Sequence, residues 1–92
     1  MKTVQDAIQV VQGKDWDARF QAEKFLAETA SASELLSHLD DPDWKIRLHV
    51  ARAIAQLPES VPELIGSLEQ CIAVEEDDWV RRNLEWAVSQ HR

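Results

Sequence analysis

The chain has 92 residues, a length that fits one domain, and carries ten lysines and arginines against seventeen aspartates and glutamates, a net charge of −7. Such an acidic surface repels phosphate backbones unless a local basic cluster overcomes the field, and the chain holds no such cluster, so no nucleic-acid partner is expected. Two glycines, three prolines and 45% hydrophobic residues exclude disorder, and the single cysteine, Cys71, excludes an intramolecular disulfide framework and fits a reducing compartment. Neither a basic-then-apolar leader nor an apolar run of membrane-spanning length is visible, so a soluble, cytoplasmic protein without a membrane partner is expected.

The first predicted helix covers 3–12, where Val4, Ile8 and Val11 recur at helical spacing. Gly13-Lys14 marks a turn, and Asp15 is placed to cap a second helix over 15–30 with Ala18, Ala22, Phe25 and Leu26 on its apolar side. After Ser31-Ala32-Ser33 a third helix, 33–39, carries Leu35, Leu36 and Leu39. Asp40-Asp41-Pro42 turns the chain again, and Asp43 caps a fourth helix over 43–57 with Ile46, Val50, Ala53 and Ile54. Pro58-Glu59-Ser60 separates this from a fifth helix, 61–74, which accepts Pro62 in its first turn and carries Leu64, Ile65, Leu68 and Ile72. Glu75-Glu76-Asp77 is an acidic turn, and Asp77 or Asp78 caps a sixth helix over 78–90 with Leu84, Ala87 and Val88. No segment alternates with period two, so no strand is expected.

The six helices form a threefold repeat. Asp15-Trp16 and Asp43-Trp44 are followed at equal spacing by Ala18-Arg19 and Ile46-Arg47; in the third copy Val80-Arg81 takes that place and Asp78-Trp79 is slipped by one. Ile8 lies as far ahead of Trp16 as Leu36 lies ahead of Trp44, so a whole helix-turn-helix unit repeats. Units of about 1–30, 31–58 and 59–92 follow, the third with extra residues between Glu69 and Asp77. One helix pair cannot bury its own apolar face, so three pairs must share a core. Its expected members are Ile8, Val11, Ala22, Leu26, Leu36, Leu39, Ile46, Val50, Ile54, Leu64, Leu68, Leu84 and Val88.

The middle unit, Leu35-Leu36-x-x-Leu39-Asp-Asp-Pro-Asp-Trp-x-Ile46-Arg47-x-x-Val50-Ala51-x-Ala53-Ile54, resembles the HEAT-like repeat in the variety described in phycobilisome lyases. The outer units match more loosely but in phase. The resemblance implies an all-α fold of three antiparallel helix pairs stacked as a short right-handed α-solenoid, a single domain over 1–92, with the second helices lining one surface. It also implies that the repeated arginines pair with turn aspartates, a structural ladder of Asp15, Arg19, Asp43, Arg47, Asp78 and Arg81.

Catalytic and metal chemistry find no foothold in the residues. His38, His49 and His91 lie in different units without a second ligand at helical spacing, Cys71 lacks a Cys-x-x-Cys partner, and the acidic turns lack the glycine and spacing of a calcium loop. No phosphate loop or nucleophile elbow occurs, so no enzyme activity, metal or cofactor is expected. The four tryptophans carry more information, because tryptophan is a frequent interface anchor. Trp16 and Trp44 fall at the exposed start of the second helices, where they could staple neighbouring units across the turns, and Trp79 and Trp86 point away from the core. The same register turns Phe20, Lys24, Lys45, Leu48, His49, Arg52 and Arg82 outward, and in HEAT-like repeats this surface faces partners. With Trp79 and Trp86 these residues form the expected docking face, apolar and basic on an acidic chain, suited to an acidic or amphipathic protein segment. The leading expectation is a non-catalytic adaptor or small scaffold; an accessory related to bilin lyases and a self-associating, homo-oligomeric repeat are the alternatives.

Overall fold

The computed structural model describes residues 1–92 and is all helical: α1 (Val4–Val11), α2 (Trp16–Thr29), α3 (Ala32–Leu36), α4 (Trp44–Ala55), α5 (Ile65–Val74) and α6 (Asp78–His91). A single 3₁₀ turn, Pro62–Leu64, leads into α5. Side chains stop the unpaired amides at the helix starts. Thr3 with Asp6 and Ser31 with Glu34 close reciprocal capping boxes. Asp15 accepts from the Ala18 amide at 3.2 Å, Asp43 from Lys45 at 2.9 Å and Asp77 from Val80 at 3.0 Å. Asp77, then, is the third cap, and Asp78 is the first residue of α6.

The third helix is shorter than its apolar spacing suggests. Beyond Leu36 the amides of His38 and Leu39 bond three residues back, to Leu35 and Leu36, which tightens the chain before Pro42 biases Asp41 away from helix. Consequently Leu35 is buried and Leu36 only half-buried, a correction to the expected core; the other twelve expected residues are buried. No helix is long and apolar enough to cross a membrane.

Short turns join α1 to α2, α3 to α4 and α5 to α6 as packed pairs, and α4 lies between α2 and α6. The outer second helices bury one stripe each. In α2 and just beyond it the stripe is Arg19, Ala22, Glu23, Leu26, Ala27 and Ala30; in α6 it is Val80, Asn83, Leu84, Ala87, Val88 and His91. Both follow the one-face spacing of an amphipathic helix. Neighbours on both flanks widen the buried arc of α4 to take in Ile46, Leu48, His49, Val50, Ala51, Ala53, Ile54 and Ala55. All buried hydrophobic side chains belong to one continuous cluster, so the three pairs share a core as the repeat physics requires.

Candidate functional site

The turn ends of α2, α4 and α6 hold the repeated arginines, and the three are not equivalent. Arg47 makes a two-pronged pair with Glu75 of the next unit, Nε to Oε2 at 3.0 Å and Nη2 to Oε1 at 3.1 Å, and its Nη1 donates to the Asp41 and Pro42 carbonyls of its own turn. Hydrogen bonding to Glu75 raises the Arg47 guanidinium above its ordinary pKa despite burial, with the charges of Glu75, Asp77 and Asp41 adding to the effect. Arg81 donates through Nη1 to the Glu75 carbonyl at 3.0 Å and through Nη2 to Asp78. Arg19 departs from the expected ladder: it meets no carboxylate, and its Nε donates to His49 Nε2 at 3.1 Å. Asp15 and Asp43 act as caps and not as ion-pair partners. Burial pushes the Arg19 guanidinium below its ordinary pKa, and the Asp43 charge opposes that shift without cancelling it.

Between α2 and α4 lies a buried polar network that sequence spacing did not reveal. With His49 Nε2 accepting from Arg19, the ring proton sits on Nδ1 and faces Glu23 Oε2 at 2.8 Å. Glu23 also accepts from Arg52 Nε at 2.9 Å and from Gln56 Nε2. Arg52 Nη1 carries the network to α6 through the Asn83 side-chain oxygen at 3.1 Å. Glu23 is therefore a buried carboxylate whose oxygens are satisfied from α4, the condition for keeping a charge inside. Its position in the α2 stripe, beside Ala22 and one turn before Leu26 and Ala27, was the available signal. The other buried histidine, His91, bonds the Ile54 carbonyl through Nε2 at 2.7 Å and accepts the Val61 amide at Nδ1, tying the end of α6 to α4 and to the entry of α5.

Over this network lies an aromatic surface. Trp16, Phe20, Trp44 and Trp79 are exposed by 39%, 43%, 37% and 46%. Trp79 joins the other two tryptophans, its ring centroid 5.4 Å from Trp16 and 5.9 Å from Trp44, and Phe20 lies 5.7 Å from Trp16. The Arg19 guanidinium stacks on Trp16 at 3.6 Å and lies 5.6 Å from Trp44. Arg52 stands between Phe20 and Trp86 at 5.5 and 5.4 Å. The tryptophans thus touch across all three units, joined by cations.

Of the expected docking face, Phe20 and Trp79 are exposed in this cluster, Lys24 and Arg82 are exposed without ion pairs, and Arg52 is half-buried on the Glu23 network. Lys45 is half-buried and caps the end of α1, its Nζ donating to the Gln12 carbonyl at 2.7 Å. Leu48 and His49 are corrections: both are fully buried, because α4 is flanked on both sides where the register assumed one buried face. Trp86 is another, half-buried and packed against the core. Trp16 and Trp44, expected as staples over the turns, do bridge units through Trp79 and remain exposed. No group of three or more His, Cys, Asp and Glu side chains converges as a metal site would require. The largest recess, about 470 Å³, opens elsewhere, between α5 and α6 beside Ile72, Glu85 and Val88.

A family model for HEAT repeats matches residues 4–89, nearly the whole length over which the helix pairs stack, and the chain belongs to that family. No curated protein and no solved structure matches the chain.

Proposed function

We propose that the chain is a non-catalytic interaction module, an adaptor or small scaffold, which docks a segment of another protein on the aromatic face of its second helices. HEAT repeats are commonly protein-interaction modules. The observation that carries the reading for this chain is the exposed set Trp16, Phe20, Trp44 and Trp79, contiguous across three units. A contiguous aromatic patch is what a docked partner removes from water, and tryptophan and arginine dominate interface energetics. Lys24 lies one turn from Phe20, and Arg82 one turn from both Trp79 and Trp86, so unpaired cations border the patch on a chain of net charge −7. With the aspartates of the turns engaged on helix-start amides and Arg81, these free cations favour an acidic or amphipathic segment over a basic one.

The resemblance to the phycobilisome-lyase variety would add an accessory, chaperone-like role, holding a tetrapyrrole or its acceptor protein. Burial, with the charges of Asp40 and Glu75, pushes the Cys71 thiol above its ordinary pKa, the opposite of what a nucleophilic thiol needs. The docking reading, which rests on the exposed aromatic patch, is preferred, in a reducing, cytoplasmic setting.

Selection of binders from a randomised displayed peptide library, followed by affinity measurement on variants, tests the reading. Trp79→Ala and Phe20→Ala should each weaken the selected peptides by about 1–3 kcal/mol while the circular dichroism of the helices is kept. Selected peptides that bind both variants as tightly as the parent would overturn it.

A further inference from the structure

Arg19 is 3% exposed, and its Nη2 is the one buried side-chain polar atom with no hydrogen-bond partner. Arginine remains charged at any pH the fold experiences, so this is an unpaired donor of a desolvated cation in a chain with seventeen carboxylates. The turns explain why none of them serves. Glu75 stands two residues before the cap Asp77, and Asp41 stands two residues before the cap Asp43. Each accepts the amide of its own cap, Glu75 from Asp77 at 3.1 Å and Asp41 from Asp43 at 2.8 Å. The longer Glu75 side chain still presents both oxygens to the arginine of the preceding unit, Arg47. Asp41, a methylene shorter, makes no bond to the corresponding Arg19.

In place of a carboxylate, Arg19 has the faces of Trp16 and Trp44. An indole face attracts a guanidinium but leaves its N–H groups without the directed, charge-assisted acceptor that a carboxylate provides. The cation is already stripped of water and fixed in orientation by His49, so a carboxylate brought to Nη2 meets a preorganised donor. Trp16, exposed at the first position of α2, stacks on the guanidinium at 3.6 Å, so a carboxylate reaching Nη2 requires this ring to turn aside.

We infer that Arg19 is the receptor for an aspartate or glutamate side chain of the docked protein segment, with an apolar neighbour of that residue lying on Trp44 and Trp79. This rests on the docking reading above and names the chemistry of the partner. One buried guanidinium matches one carboxylate. A nucleic-acid strand would instead bring a row of phosphates against Asp41, Asp43, Asp77 and Asp78, which line the same turn end, and is disfavoured.

The test is a double-mutant cycle on the library-selected peptides. Selection on the parent should enrich sequences containing Asp or Glu, and replacing that acid by its amide should weaken binding to the parent by about tenfold or more. The same replacement should make no difference on Arg19→Gln. Should Arg19→Gln fail to fold, the parent protein answers alone: the acidic peptide, and not its amide version, should move the NMR signals of the Arg19 Nε–H and the Trp16 indole N–H. Enrichment of neutral or basic peptides that still depend on Trp79 would overturn the carboxylate inference and leave the docking reading standing. Acidic peptides indifferent to Arg19 would do the same, whereas oligothymidylate binding more tightly than any peptide would overturn both the carboxylate inference and the docking reading. Peptides indifferent to both Trp79 and Phe20 would remove the docking reading itself.

Discussion

The two junctions between repeat units solve the same packing problem with different chemistry. Where the second unit meets the third, Arg47 and Glu75 neutralise each other at the turn end, and His91 ties α6 back to the Ile54 carbonyl at the far end. Where the first meets the second, the buried carboxylate lies deeper, at Glu23, and the turn end is left to Arg19 among tryptophan rings. One junction is closed at the turn end by a salt bridge; the other carries its salt bridge inside, at Glu23, and is covered at the turn end by tryptophan rings. A repeat position can therefore be paired in one unit and left without a carboxylate in another, according to what the following turn supplies.

Substitutions should separate the two junctions. Ile54→Ala removes a fully buried side chain from the helix both junctions share and should cost about 2–5 kcal/mol in urea unfolding through transfer and cavity terms. Glu23→Gln keeps the shape but leaves Arg52 without its counter-charge, and should cost about 1–3 kcal/mol. A Glu23→Gln variant as stable as the parent would mean the first junction is held by its apolar contacts alone. Glu75→Gln should cost somewhat less, about 1–2 kcal/mol, since Arg47 keeps the carbonyls of Asp41 and Pro42 whereas Glu23 serves Arg52, His49 and Gln56 at once.

Smaller still is an effect on Cys71, whose raised thiol pKa depends on burial first and on Asp40 and Glu75 after it. A raised thiol means that the folded chain holds its proton to higher pH than the unfolded chain. The associated stability is complete below the ordinary thiol range and is lost as pH rises through the folded value. At about pH 8.5, near the ordinary thiol pKa, iodoacetamide should alkylate the folded protein more slowly than the urea-unfolded chain. Glu75→Gln should narrow that gap, while Glu23→Gln, in the other junction, should leave it unchanged.

Much of the fold was legible because its signals are local. Capping aspartates, apolar spacing and the repeat phase mark the second helices to within a residue or two, and Asp15, Asp43 and Asp77 cap where they should. Leu48 and His49 were not legible as interior residues. The place of Leu48 in the repeat leaves Phe20 and Arg82 exposed in the outer units, and the flanking of α4 by two neighbours is what distinguishes it; the place of His49 is exposed at Gln21 but buried at Asn83, so there the third unit already shares the interior position. Arg19 failed for a different reason: pairing depended on one methylene, Asp41 against Glu75, and on the turn of a guanidinium toward α4 instead of its own loop. The exposed aromatic patch was half legible, since Phe20 and Trp79 lie exposed where the register put them while Trp16 and Trp44, read as staples, complete it.

The central claim is that the aromatic turn end serves a partner and not the fold. The direct measurement sets urea stability and peptide affinity of Trp79→Ala side by side with the parent. Because Trp79 is the most exposed of the four clustered rings, stability should change by less than about 1 kcal/mol, while affinity for the selected peptide falls by about tenfold or more. A large loss of stability with affinity per folded molecule unchanged would show that the tryptophans hold the units together and that the docking site lies elsewhere.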